Sequence, residues 1–284
     1  MERWIERGPS PADARRLWVR AVKAYYDGSL GSRGAKLLAD YSDQPGHRGV
    51  SGDEYGFPED LVTAAIERGF QVGVHAIGDA GNREVLNYFE RVSGAADQAP
   101  LRHRIEHAQV VAPGDFERFG RLGLVASMQP GHAVEDSPWA EARLGPKRIR
   151  GGYAWRSLRQ AGVLLIFNSD LAGTDFDIFY GLHSAIRRTD RDGNPEGGWY
   201  VDQAVSVEEA LRAYTVWPAR ASGKEALTGT IEAGKWADLT VLSIDPFVTA
   251  SEDPAALLEG EALMTVVGGE IVHDVLTRDV LSKN

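Results

Sequence analysis

The chain has 284 residues, and 31 Lys+Arg against 41 Asp+Glu leave a formal net charge of −10 at pH 7. That balance argues against nucleic acid as a partner, because counterion-release binding needs clustered Lys and Arg. The 43% hydrophobic and 25% charged composition is that of a folded chain, and the absence of cysteine removes disulfides, thiolate-held zinc, iron–sulfur clusters and thiol catalysis together. Any metal must be held by His, Asp, Glu or a modified Lys. No apolar run approaches the roughly 18 residues of a membrane-spanning helix. The charged start Met1-Glu-Arg-Trp-Ile-Glu-Arg7 lacks the apolar stretch of a signal peptide, so the expected location is cytoplasmic.

Trp18 to Tyr26 reads as a first strand, running into the Gly-rich turn Asp27-Gly-Ser-Leu-Gly-Ser32. The Gly-, Asp- and Pro-rich stretch 41–57 reads as loop. Pro58 then opens a helix whose apolar positions Leu61, Val62, Ala65 and Ile66 follow helical spacing, and Gly69 ends it. The residues Phe70-Gln-Val-Gly-Val-His75 form a short apolar strand. Gly78-Asp-Ala-Gly81 starts a further helix carrying Val85, Leu86 and Phe89, and Leu101 to His107 reads as the next strand.

The helix–glycine–strand unit recurs twice. Phe116, Phe119 and Leu122 lead to Gly123 and the strand Leu124–Met128; Tyr153, Trp155 and Leu158 lead to Gly162 and the strand Val163–Phe167. Helices alternating with short, nearly continuous apolar strands predict a parallel sheet covered by helices. The stretch 189–200 reads as loop. Ser206 is positioned as the N-cap of a helix to Tyr214, with Glu208 and Glu209 in its first turn. Segments 229–242 and 264–273 read as strands and turns, with Gly268-Gly269 as a hairpin turn.

In parallel α/β architectures, chemistry collects at the carboxyl ends of strands. Those ends here are Asp27, His75, His107, Gln129 and Asp170, with His132 just beyond the strand that ends at Met128. Singly, His75 and His107 also read as hydrogen-bonded core histidines, and Asp170 as a helix cap. Together, two His and an Asp are a ligand set of catalytic zinc in kind, leaving a position for water. His132, Gln129 and Asp27 are candidates for contact with substrate.

Lys23 shares a strand face with Tyr25 and Asp27. A charged lysine buried in an otherwise apolar strand is costly unless it is paired, with Asp27 or another acid, or carbamylated into a bridge between two metals. His103-Arg-Ile-Glu-His107 matches the H-x-x-E-H pattern of inverzincin proteases, which requires a helix. Pro100 and Pro113 bracket the segment instead. Gly78-Asp-Ala-Gly81 is either an anion-receiving helix start or a capped turn. Trp139, Trp155 and Trp199 read as packing or pocket walls; His47, His183 and His273 have no usable context.

Taken in order, Val22-Lys-Ala-Tyr-Tyr-Asp-Gly-Ser-Leu-Gly-Ser32, His75-Ala-Ile-Gly-Asp79, Arg104-Ile-Glu-His107, Ser127-Met-Gln-Pro130 and Asn168-Ser-Asp170 resemble the YtcJ-like branch of the amidohydrolase superfamily. Gly229-Thr-Ile-Glu-Ala-Gly-Lys-Trp-Ala-Asp-Leu239 resembles that superfamily's closing segment. The resemblance implies an α/β fold: an incomplete (β/α)8 barrel, about strands four to eight, over residues 1–222, and a C-terminal piece of a small β-sandwich over 223–284. It implies His75 and His107 as metal ligands, Asp170 as ligand and general base, and Lys23 at a position carbamylated in some members. The implied cofactor is one or two divalent ions, most simply zinc; the implied substrate is a small molecule with an amide or other non-peptide C–N bond.

The chain departs from this pattern in one large respect. It contains no His-x-His pair, which the family carries on its first strand, and nothing matching strands one to three. The expectation is therefore a fragment, a chain that pairs with a complementing N-terminal half or with its own copy, or a protein with another task. Alone, it is expected to be weakly active or inactive. The rival readings are a non-catalytic partial barrel that serves assembly, and an inverzincin-like protease.

Overall fold

The computed structural model describes residues 1–11, 17–92, 101–171 and 175–276. In chain order its main elements are α1 (Glu2–Arg7), β1 (Ala21–Tyr25), α2 (Gly52–Tyr55), α3 (Glu59–Glu67), β2 (Gln71–Ala76), α4 (Asp79–Val92), β3 (Arg104–His107), α5 (Phe116–Arg121), β4 (Val125–Met128), α6 (Pro130–Asp136), α7 (Ala140–Arg148), α8 (Trp155–Gln160), β5 (Leu164–Phe167), α9 (Ile178–Arg187), α10 (Val207–Tyr214), α11 (Val216–Ala221), β6 (Leu239–Leu242), α12 (Pro246–Glu252), β7 (Ala262–Val267) and β8 (Glu270–Asp274). Strands β1 to β5 form one sheet in sequence order, and every pair in it is parallel.

The sheet is held by apolar burial on its helix-covered face. Val72, Val74, Ile105, Ala126 and Leu165 pack with Ile66, Leu86, Phe89, Phe119 and Leu158, all at most 3% exposed. Strands β2 and β4 are buried along their whole length. The outermost strand β1 alternates instead, with Lys23 exposed and Ala24 buried. Five parallel strands in this order do not close a barrel, so β1 and β5 each keep one unpaired edge among the described residues.

Several predicted boundaries contract. The first strand covers 21–25 and not 18–26, and the third begins at Arg104. The 41–57 stretch is not all loop: Ser51 caps α2 with a reciprocal bond to Glu54. Segment 229–242 contributes only β6. The glycine pair 268–269 does turn the chain between β7 and β8, both residues having positive φ, a conformation that costs glycine little.

Strands β6, β7 and β8 make a separate antiparallel sheet. It is sparsely covered, with Ile271 and Val272 59% and 60% exposed. The C-terminal region is tied to the first sheet's helices through α9. The His183 ring bonds to Thr189 Oγ1 at 2.9 Å and the Pro254 carbonyl at 3.3 Å. Phe179 packs where Gly260 leaves room for it.

Candidate metal and hydrolytic site

A cavity of about 420 Å³ opens at the carboxyl ends of the parallel strands. Lys23 and Tyr25 enter it from β1, His75 from β2, His107 from the last position of β3, His132 from α6 and Asp170 from just after β5. Residues 75, 107 and 170, far apart in sequence, thus share one wall-to-wall space. The ring centroids of His75 and His107 are 4.5 Å apart, and His132 stacks on His107 at 5.8 Å. His107 and Asp170 both adopt left-handed backbone conformations, φ 74° and 54°. Such geometry is uncommon outside glycine and concentrates at functional sites.

All three histidines are held neutral. Burial pushes His75 down to about 3, and Lys23, with any proton on His107, would further repel a proton there. Burial also lowers His132, to about 4, and lowers His107 against the opposing pull of Gln129 and Asp170. A neutral imidazole is the form that binds a metal. His75 Nε2 is buried without a hydrogen-bond partner in the chain, a costly state for a polar atom unless something else occupies its lone pair.

These observations fit a divalent ion in donor chemistry: two neutral imidazoles, one with an orphaned nitrogen, beside a carboxylate. Among the described residues, however, no three His, Asp or Glu side chains stand close enough together to form a complete metal group. The cavity holds a partial set, consistent with the missing His-x-His pair.

Other candidates take different places. Asp27 is fully buried, and its carboxylate accepts backbone N–H groups of Ile77, Gly78 and Lys36, each at 2.9 Å. It lies behind His75, its Oδ1 3.7 Å from His75 Nε2. Asp27 therefore anchors loops and does not meet substrate, a correction that follows from the 28–36 loop closing over it. No ion pair joins it to Lys23 among the described residues. Lys23 instead points its ammonium over the Tyr25 ring, 4.7 Å from the centroid. The burial cost argued for this lysine does not arise, because β1 is an edge strand and Lys23 is exposed.

Gln129, expected to touch substrate, is 5% exposed and accepts a hydrogen bond from His107 Nδ1 at 2.9 Å. It acts on the histidine. The H-x-x-E-H reading fails because residues 104–107 are a strand. His103 stacks on Phe89 and its Nδ1 accepts the Val72 N–H, away from His107. The start of α4 is closed to anions: the Ala80 and Gly81 N–H groups already donate to the Lys36 carbonyl. Trp139 does line the cavity wall, and Trp155 is fully buried.

The sequence reading missed Gln109 and Asp136, which also line the cavity. Gln109 Nε2 donates to Asp136 Oδ2 at 2.7 Å, and the Tyr153 hydroxyl donates to the same oxygen. The adjacent acids Glu135 and Asp136 so soon after a strand end were the available signal.

The amidohydrolase family model matches residues 1–273. Protein LONG AFTER FAR-RED 3 of Arabidopsis thaliana is 35% identical over 261 residues, covering 90% of this chain and 43% of that protein. A Bacillus subtilis protein named as an amidohydrolase, YtcJ, is 35% identical over 257 residues, covering 89% of this chain and 47% of its own length. The crystal structure of a metal-dependent hydrolase from Pyrococcus horikoshii superposes with a TM-score of 0.73 at 28% identity, over 87% of this chain and 48% of that one. The chain thus spans a little under half the length of the relatives it matches. With a matching family model over nearly the whole sequence and a parallel α/β sheet of the same kind, this chain belongs to the amidohydrolase family.

Proposed function

We propose that this chain carries the strand-four-to-eight half of a metal-dependent hydrolase acting on an amide or related non-peptide C–N bond of a small molecule. The observation that carries the reading is the convergence of His75, His107 and Asp170 on one cavity at the carboxyl ends of parallel strands. His75 and His107 are the residues that would hold the ion, most simply zinc, with Asp170 beside them. When bound, such an ion supplies acidified water and polarises the scissile carbonyl.

The chain's own groups do the rest. Asp170 takes a proton from the attacking water as its oxygen bonds to the carbonyl carbon. The same carboxyl then returns that proton to the nitrogen as the C–N bond breaks, so charge and atoms balance. His132, neutral and stacked on His107, offers the substrate a hydrogen-bonding edge. Burial, with the positive charge of Lys23 adding to it, keeps His75 and His107 unprotonated; a carbamylated Lys23 would instead be a residue able to hold a second ion. Among the described residues β1 and β5 each keep an unpaired edge, which supports the reading that full activity needs a complementing N-terminal half or a second copy.

The test is turnover of N-acyl and formamide substrates by the zinc-supplemented chain. We expect little or no hydrolysis from the chain alone. Hydrolysis should appear when the N-terminal portion of a full-length relative is added in trans, and Asp170→Asn should abolish it. Complemented activity that survives Asp170→Asn would contradict the assigned base.

A further inference from the structure

Gln129 and Asn168 are side-chain amides whose oxygen and nitrogen ends are fixed by groups that can play only one role. The Asp170 N–H can only donate, and it lies 3.1 Å from Asn168 Oδ1. That end of Asn168 must therefore be the oxygen. Its other end, Nδ2, donates to Ser127 Oγ at 3.0 Å. Ser127 in turn bonds to the Glu106 carboxylate, which is also paired with Arg104 at 2.7 Å.

The same logic passes to Gln129. Asn168 Oδ1, 2.9 Å away, and the Ser127 carbonyl, 3.4 Å away, are both acceptors, so the end of Gln129 facing them must be its NH₂. Its oxygen is then the end that faces His107 Nδ1. An oxygen acceptor there requires a proton on Nδ1 and leaves the Nε2 lone pair for a ligand.

We infer that Asn168 is a positioning residue that, through Gln129, sets the tautomer of His107 and couples it to the backbone carrying Asp170. The inference rests on the proposed hydrolase reading only in assigning the ligand of Nε2. One backbone N–H, three bonds from the histidine, selects which ring nitrogen is offered to the cavity. The Arg104–Glu106 pair, partly buried beneath the site, anchors the opposite end of the network. Gly73 makes room for it, since a side chain there would meet Glu106 Oε1 at 2.7 Å.

The experiment uses the full chain, uniformly ¹⁵N-labelled and free of metal, and reads the His107 ring nitrogens by long-range ¹⁵N–¹H NMR. The parent should show a single Nδ1–H tautomer. Asn168→Ala should give a mixture of tautomers and weaken zinc binding, measured with zinc alone by calorimetry, by roughly 10- to 100-fold. Asn168→Asp, which keeps the acceptor facing Asp170 and Gln129, should retain the parent's single tautomer.

A single Nδ1–H tautomer in a folded Asn168→Ala protein overturns the inference. So does a mixed population in Asn168→Asp, and that arm decides alone if the alanine variant does not fold. A parent that shows the Nδ1–H tautomer but binds no zinc leaves the relay standing and contradicts the metal-dependent reading, so the two failures are distinguishable.

Discussion

Asp136 is a carboxylate kept where burial opposes its charge. Burial pushes its pKa up to about 6, against hydrogen bonds from Tyr153 and Gln109, while an unfolded aspartate titrates near 3.9. Between about pH 4 and 6 the folded chain therefore holds more protons than the unfolded one, and stability falls as pH rises through that window. Both donors reach the same oxygen, Oδ2, so Asp136→Asn can keep both bonds without a charge. We expect the variant to gain stability relative to the parent at pH 7 compared with pH 4, measured by urea denaturation; an equal difference at both pH values would contradict this. The placement of His75, His107 and Asp170 at strand ends around one cavity was legible because strand ends in a parallel sheet are few and polar residues there stand out. The tasks of Asp27 and Gln129 were not, because each depends on a neighbour brought in by folding: the 28–36 loop over Asp27, and the β3 end against Gln129.

Elements whose signals are local were read well. Ser206 accepts the Glu209 N–H while Glu209 returns to the Ser206 N–H, a reciprocal cap that the sequence predicts from residues three apart. Ser206→Ala should lower stability by about 1 kcal/mol, seen as a lower urea midpoint with an unchanged slope; no change would mean that α10 is held by packing alone. Helices whose signals are broken were not read. The span of α7 contains Gly145 and Pro146, and Gly145 is non-helical with φ 73°. Helix α6 is only seven residues long, and its one start signal is Pro130 at the first position. Strands came out shorter than read because an apolar run does not mark where ladder pairing begins: Trp18 and Val19 precede β1, and Val19 bonds to Ser10 and not to β2.

Considered whole, the molecule is an amidohydrolase-family chain that spans a little under half the length of the relatives it matches. The matched relatives are more than twice as long as the aligned span, and among the described residues the parallel sheet has five strands and no three His, Asp or Glu side chains form a metal group, although His75, His107 and Asp170 line one cavity. The cavity nonetheless keeps its histidines neutral and leaves His75 Nε2 without a hydrogen-bond partner, which supports the proposed ion site. Zinc titration of the full chain by calorimetry tests this most directly. One zinc per chain should bind, and each of His75→Ala and His107→Ala should weaken that binding at least about tenfold. Zinc bound equally well by the His75→Ala, His107→Ala double variant would contradict it.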